Sequence, residues 1–205
     1  MKTLLISGFD GRMGQECARL AADFGFSPQP FEPNAAGDLL LDFSHPDCLD
    51  TLLACPLPLV IGTTGYSAGQ TESIRKAAET RPVFLSANFS LGVYALGLLA
   101  EQARLLLPDW DIAIIEKHHA AKRDIPSGTA QALAARLQTD RVLSVRGGTV
   151  RGVHEIGLYG PEESLTLTHA AESRALFAQG ALRAAAWLIK RGPGLYGMRD
   201  LLMIK

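Results

Sequence analysis

Short, nearly continuous apolar runs separated by segments of helical spacing constrain the fold of this chain more than any other feature. A run such as DLLLDF at 38–43 has no polar face, which is typical of a strand covered on both sides of its sheet. Strands that alternate with helices form a parallel, doubly wound sheet with right-handed crossovers. The predicted strands are 3–7, 38–43, 57–61 and 82–86, and the predicted helices are 11–24, 46–53 and 68–80.

The pattern changes after residue 88. A long apolar helix, a strand and an alanine-rich helix come first, and three alternating strands then follow with glycine turns between them. Strands in close succession predict a mainly antiparallel sheet, so we expect an α/β chain of two lobes with a crevice between them. The predicted helices are 91–107, 129–137 and 175–189, and the predicted strands are 111–116, 142–150, 152–159 and 164–170.

Composition excludes several classes of function. The 205 residues include 20 Lys and Arg against 21 Asp and Glu, so no basic field attracts nucleic acid. The opening MKTLLISGF breaks at Gly8 like a buried strand rather than an export signal, and no apolar stretch approaches the ~20 residues of a membrane helix. Three widely spaced cysteines without a CxxC pair predict reduced thiols, and hence a cytoplasmic protein.

A glycine-rich turn follows the first predicted strand. GFDGRMG at 8–14 fits G-x-x-G-x-x-G, and glycines at that position let the backbone approach a pyrophosphate at a helix N-terminus. Arg12 adds a cation that can reach a phosphate. Glu32, about 20 residues further on, is the candidate partner of the ribose hydroxyls. No arginine lies close to Glu32 in the sequence, which favours NADH over NADPH without deciding between them.

Two further predicted strands end in small or hydrogen-bonding residues. These ends are IGTTG at 61–65 and SANFS at 86–90. Because ligands of open α/β sheets bind outside the carboxyl ends of the strands, we expect both turns to line the nicotinamide side of a dinucleotide site. A plain turn is the alternative at each place.

EKHHAAKRDIPSGTA at 116–130 admits several chemistries. Adjacent histidines are a poor chelating pair and no further ligands are suitably spaced, so the stretch does not predict a metal site. A nucleophile elbow around Ser127 is absent. The Ser-Gly-Thr turn before a helix suits a carboxylate, and His118 or His119 with Lys122 suits proton delivery to a substrate that accepts hydride. A solvated loop is the remaining alternative.

Several motifs in this order resemble the dihydrodipicolinate reductase family. They are GRMG at 11–14, DFSHP at 42–46, IGTTG at 61–65, ANFSLGV at 87–93, E-x-HH-x-x-K-x-D-x-P-S-G-T-A at 116–130, RGG at 146–148 and THAAESRALFAQGALRAAAWL at 168–188. The resemblance covers nearly the whole chain, and the histidine–lysine–SGT motif is its most specific part.

The resemblance implies a Rossmann-type dinucleotide-binding domain of residues 1–89 with 175–205, and a mixed α/β substrate-binding and tetramerisation domain of residues 90–174. It implies NADH- or NADPH-dependent reduction of a cyclic imine dicarboxylate, with loss of water, in diaminopimelate–lysine biosynthesis by a homotetramer. The implied catalytic residues are His118 and Lys122, and the implied substrate-binding residues are His119, Ser127, Gly128 and Thr129. The cofactor-binding residues are Gly8, Phe9, Asp10, Gly11, Arg12, Met13, Gly62, Thr63, Thr64, Ser86, Ala87, Asn88 and Phe89, with Glu32 from the spacing argument above.

The chain also departs from the family pattern. It is shorter than usual between the first helix and Asp38, which affects the region that selects NADH or NADPH, and between Ala130 and Val145, which affects tetramer contacts. Phe9 is bulky where a small residue is common, and the residues around Gly152 are less acidic. Two alternative functions stay open: a related NAD(P)-dependent amino-acid dehydrogenase, and a nucleotide-sensing protein without turnover.

Overall fold

The structure is a computed structural model that describes residues 1–202, so the last three residues of the predicted first domain, 203–205, lie outside the described residues. The strands are β1 (Lys2–Ser7), β2 (Phe26–Pro30), β3 (Leu39–Asp42), β4 (Leu59–Ile61), β5 (Pro82–Leu85), β6 (Asp111–His118), β7 (Val142–Arg146), β8 (Val153–Tyr159), β9 (Ser164–Ala170) and β10 (Gly194–Tyr196). The helices are α1 (Arg12–Leu20), α2 (Leu49–Ala54), α3 (Ala68–Ala78), α4 (Leu91–Leu106), α5 (Gly128–Leu137), α6 (Ala175–Leu188) and α7 (Met198–Leu202), with 3-10 turns at Ala21–Phe24 and Pro46–Cys48.

The chain divides into two compact units, residues 1–89 with 175–202, and residues 90–174. The first unit contains a six-stranded, all-parallel sheet in the order β10-β5-β4-β3-β1-β2. The doubly wound parallel sheet predicted from the apolar runs is therefore confirmed. The assignment of the two units to dinucleotide and to substrate stays a prediction.

Both faces of the parallel sheet are buried, which explains its continuous apolar strands. Leu5, Leu40 and Ile61 on one face pack with residues of α2 and α3. Neighbours of the opposite parity, such as Leu41 and Val60, are equally inaccessible. Two faces of buried leucine and valine give this sheet most of its stability, at roughly 25 cal/mol for each Å² of apolar surface removed from water.

The order of the strands creates a switch point between β1 and β3. The chain passes from β1 outward to β2 and then returns to pair β3 on the other side of β1. Within the described residues no helix lies between β2 and β3. The segments that follow β1 and β3 therefore leave the carboxyl ends of these strands in different directions. Open α/β sheets bind their ligands in the crevice at this kind of switch point.

The second unit has a mixed sheet in the order β7-β6-β8-β9. β8 pairs antiparallel with both β6 and β9, but β7 pairs parallel with β6, because α5 crosses over between them. The mainly antiparallel pairing was thus correct except at β7. That strand also ends at Arg146 rather than at residue 150, since a turn follows at Gly148 and Thr149.

One face of the mixed sheet carries α4 and α5. Ile112 and Ile114 on β6 and Ile156 on β8 form the core with inward residues of the two helices, among them Leu96 and Leu133. Along β6 every second residue is buried, and this buried face continues past Ile114 to Glu116 and His118. Charged and imidazole side chains thus occupy core positions at one end of the sheet.

Candidate functional site

The glycine-rich turn adopts a conformation that depends on its glycines. Gly8 has a φ of +76°, and a Cβ there would lie 2.8 Å from the carbonyl carbon of Phe43. The N–H of Gly11 donates to the carbonyl of Gly8 at 3.0 Å and closes the turn. Gly14 is buried in α1, where a Cβ would overlap the Gly8 carbonyl. The turn therefore brings the N-terminus of α1 directly against the end of β1.

A cleft of about 920 Å³ opens beside this turn, at the switch point of the sheet. The segments that follow β1, β3 and β4 form its walls, as the topology requires. Of the predicted cofactor residues, six line the cleft: Gly11, Arg12, Met13, Gly62, Thr63 and Thr64.

The other predicted cofactor residues lie elsewhere in the same unit. Gly8, Phe9 and Asp10 form the turn itself, and the side chain of Glu32 is exposed just beyond the end of β2, the neighbour of β1. In the segment 86–89, Ser86 bonds the backbone of Asn88 and Ala87 is exposed. The Phe89 ring is buried and stacks on Phe84 with 5.8 Å between the centroids, so its side chain belongs to the core.

One wall of the cleft was not predicted from the sequence. It is formed by residues 43–47 after β3 and by Tyr66, Ser67 and Gln70. Buried Asp42 organises this wall. Its carboxylate accepts from the Ser44 hydroxyl at 2.5 Å and from the Tyr66 hydroxyl at 3.3 Å, while Thr63 accepts from the Ser44 N–H at 2.9 Å. Burial, followed by the nearby Asp42 carboxylate, raises the pKa of Tyr66, so its hydroxyl stays protonated. The DFSHP motif at the end of a predicted strand was the available indication.

A second polar cluster lies on the buried face of the mixed sheet. The pairing of the strands brings Ser144, Glu116, His154 and His169 into one row across β7, β6, β8 and β9. His118 and Arg146 form the next row. Facing residues of paired strands point to the same side of a sheet, so these groups share the face that carries the core.

Glu116 is the centre of this cluster and has no exposed surface. Arg146 donates from two nitrogens, at 2.6 Å to Oε1 and at 2.8 Å to Oε2, in the bidentate geometry of a strong pair. His118 Nδ1 lies 2.5 Å from Glu116 Oε2. Burial alone would raise the pKa of Glu116, but hydrogen bonds from Arg146, His118 and the Ser127 N–H, with the nearby Ser144 hydroxyl, outweigh it and lower this pKa to about 2. The carboxylate is therefore ionised at neutral pH.

The SGT turn begins helix α5 and is connected to this cluster. The Ser127 hydroxyl accepts from the Ala130 N–H at 3.2 Å as the helix N-cap, and the Ser127 N–H donates to Glu116 Oε1 at 3.3 Å. Ser127 is buried, whereas Gly128 is exposed and Thr129 half-buried. The positive end of this ten-residue helix attracts anions, and the Gly128 N–H there bonds the Asp124 carboxylate.

The loop between β6 and α5 carries the predicted His119 and Lys122. The Lys122 N–H donates to the carbonyl of His119 at 3.1 Å, which forms a turn directly after His118. Lys122 Nζ lies 2.8 Å from Asp124 Oδ1, and this hydrogen bond lowers the pKa of Asp124. Arg146 also donates to the carbonyl of Asp124 at 2.7 Å, so the arginine connects the loop to Glu116. The side chain of His119 is half-buried.

His154 was not predicted as a site residue, although it lies against the site. Its ring contacts that of His118 edge-on with 5.3 Å between centroids, and its Nε2 lies 3.3 Å from the Ser127 hydroxyl. Only 4% of His154 is exposed, and its Nδ1 has no hydrogen-bond partner among the described residues. Burial, followed by repulsion from His118, lowers the pKa of His154 to about 4, so this imidazole is neutral at pH 7.

No helix in residues 1–202 is long and apolar enough to cross a membrane. The same residues contain no group of three or more His, Cys, Asp or Glu side chains arranged to bind a metal ion.

Comparison with known proteins places these features in a family. Residues 23–89 match the family model for the N-terminus of dihydrodipicolinate reductase, and residues 92–202 match the model for its C-terminus. The glycine-rich turn precedes the first matched stretch.

Curated relatives align over almost the whole chain. 4-Hydroxy-tetrahydrodipicolinate reductase of Stenotrophomonas maltophilia is 40% identical, with 97% of each chain covered. The Rickettsia bellii protein of the same name is 38% identical, over 95% of this chain and 92% of its own length. Both alignments are longer than 205 residues, so the relatives contain residues that this chain lacks.

A solved structure has the same fold. The dipicolinate-bound dihydrodipicolinate reductase of Paenisporosarcina sp. TG-14 superposes with a TM-score of 0.82 at 22% identity, with 98% of this chain and all of that chain covered. Family models, full-length relatives and fold therefore agree, and the chain belongs to the dihydrodipicolinate reductase family.

Proposed function

We propose that this protein is an NAD(P)H-dependent oxidoreductase that converts 4-hydroxy-tetrahydrodipicolinate to tetrahydrodipicolinate, with loss of water, in the diaminopimelate pathway to lysine. Its membership of the reductase family supports this activity. The observation that carries the proposal is the buried Glu116–His118 pair next to the N-terminus of α5. A histidine oriented by a carboxylate and a helix end that attracts anions together suit proton transfer to a carboxylate-bearing substrate.

The residues of the first unit fit a dinucleotide. The turn around Gly8 leaves no room for side chains against the backbone, and the cleft beside it is large enough for part of a nucleotide. Gly11, Arg12 and Met13 would hold the pyrophosphate at the α1 N-terminus, and Glu32 the adenosine ribose. When bound, the reduced nicotinamide supplies hydride, while this chain supplies orientation and charge.

Residues of the second unit bind the substrate and move its protons. Reduction delivers hydride to one end of a polarised double bond, so a proton is required at the other end. His118 donates or accepts this proton, and Lys122 is the second donor. His119, Gly128 and Thr129 bind the substrate carboxylates, the last two at the positive end of α5. Ser127, the remaining predicted substrate-binding residue, also caps this helix end.

We also propose a cytoplasmic homotetramer built through the mixed sheet. The face of this sheet opposite the helices carries Leu143 and Val145, which are 56% and 48% exposed, and Tyr159, which is also exposed. A sheet face with such apolar side chains is suited to burial against other subunits. The free thiols of the three cysteines support the cytoplasmic location.

Alanine substitutions at His118 and Lys122 test the assignment of the site. Each should lower turnover by at least ~10²-fold, as expected for the loss of a general acid. Affinity for NADH or NADPH should barely change, because both residues belong to the other unit. Steady-state kinetics and dinucleotide titration measure the two effects. Near-normal turnover in both variants would contradict the assignment.

A further inference from the structure

Glu116 contacts one of the two ring nitrogens of His118. The two residues are two positions apart on β6, so both side chains point to the buried face of the sheet. Glu116 Oε2 lies 2.5 Å from His118 Nδ1, and neither side chain is more than slightly accessible to water. The histidine ring is therefore fixed from its Nδ1 side.

Glu116 in turn has very little freedom. Arg146 donates to both of its oxygens, and the Ser127 N–H donates to Oε1 from the start of α5. An ionised carboxylate can only accept hydrogen bonds, so the proton between Glu116 and His118 resides on Nδ1 of the imidazole. In the neutral ring Nε2 then carries the free lone pair.

The opposite side of the ring faces a glycine. Gly152 has a φ of +154°, and a Cβ built there would lie 3.1 Å from His118 Nε2 and 3.4 Å from Cδ2. A side chain at this position would crowd Nε2. Glycine at 152 thus keeps a side chain away from the nitrogen that Glu116 does not occupy.

We infer that Glu116 is a positioning residue, which fixes the proton of neutral His118 on Nδ1 and presents Nε2 as the nitrogen that exchanges a proton with the substrate. Arg146 and the Ser127 N–H keep the carboxylate of Glu116 in place. The inference deepens the proposed function, on which the identity of the substrate rests. The orientation and tautomer of His118 are properties of the free protein, so they can be tested without turnover.

The first test is nitrogen NMR of the unsubstituted protein labelled with ¹⁵N-histidine, at a pH where its imidazoles are neutral. The shifts of the two ring nitrogens distinguish a protonated from an unprotonated nitrogen, and loss of the signals in His118→Ala assigns them. We expect His118 to bear its proton on Nδ1. A proton on Nε2 would overturn the inference, whether or not the protein reduces the proposed substrate.

Glu116→Gln tests the consequence for catalysis. The amide cannot act as a pure acceptor, so the His118 ring should lose its single tautomer, and kcat should fall at least ~10-fold with little change in KM. Glu101→Gln is the matched control, because Glu101 also pairs with an arginine, Arg136 at 2.6 Å, and is not among the predicted site residues. Equal kcat values for the Glu116 and Glu101 variants, or an unchanged tautomer in Glu116→Gln, would overturn the role of Glu116.

Discussion

Replacing His154 by glutamine should flatten the dependence of stability on pH. Burial, followed by repulsion from His118, lowers the pKa of His154 from 6.5 to about 4. His169 and Lys122 act in the same direction, and Glu116 opposes them. In the unfolded chain the same imidazole binds a proton near pH 6.5, so acid favours the unfolded state.

The size of this effect follows from the pKa difference. One pKa unit corresponds to about 1.4 kcal/mol, so the full linkage is about 3 kcal/mol and develops as the pH falls from about 6.5 to about 4. About 2 kcal/mol of it is lost between about pH 7 and pH 5. The pKa of Glu116 is lowered from 4.5 to about 2, so its contribution is lost as the pH falls from about 4.5 to about 2, and the two groups act in largely separate pH windows.

Urea unfolding followed by circular dichroism at a series of pH values measures this linkage. The unsubstituted protein should lose about 2 kcal/mol more than His154→Gln between about pH 7 and pH 5. His45→Gln is the control, because the His45 side chain is 70% exposed, and it should keep the slope of the unsubstituted protein. Parallel slopes for the unsubstituted protein and His154→Gln would refute the argument that His154 is buried in its neutral form.

Two further substitutions test the dinucleotide turn and the sheet face. Gly14→Ala should weaken NADH binding at least ~10-fold in a fluorescence titration, because its Cβ would overlap the Gly8 carbonyl and displace α1 from the turn. Gly192→Ala is the control, because no atom lies within 4 Å of its Cβ, and it should leave NADH binding unchanged. Equal affinities of the two variants for NADH would contradict a role of the glycine-rich turn in dinucleotide binding. Leu143→Glu should dissociate the proposed tetramer in sedimentation, whereas Leu105→Glu, at an exposed position on α4, should leave it intact. If the unsubstituted protein is a tetramer and Leu143→Glu is one too, this face of the sheet is not the interface.

The parallel sheet could be predicted because its central strands are buried on both faces and are therefore apolar runs in the sequence. Strand β10 was missed, since three residues beginning with Gly194 have no such pattern. Its stability comes from backbone pairing with β5, in which Gly194 lies opposite Pro82, a partner more than a hundred residues away. The parallel pairing of β7 was missed for a similar reason, because strand direction depends on the crossover through α5.

The histidine–lysine–SGT stretch was recognised because its residues are contiguous. The residues that contact His118 could not all be predicted from this contiguous stretch. Glu116 stands in the same motif, but its role depends on Arg146, which register brings to it from thirty residues further along the chain. His154 reaches the site only through the pairing of β8 with β6. Sequence spacing cannot give such cross-strand contacts, whereas sheet register fixes them.

The most direct test of the proposed activity follows the absorbance of reduced nicotinamide when purified protein receives the product of dihydrodipicolinate synthase, with NADH and NADPH in separate reactions. We expect oxidation that requires both the substrate and the protein, and the ratio of the two rates gives the cofactor preference. Folded protein that binds NADH but oxidises neither cofactor in the presence of this substrate would contradict the proposed function.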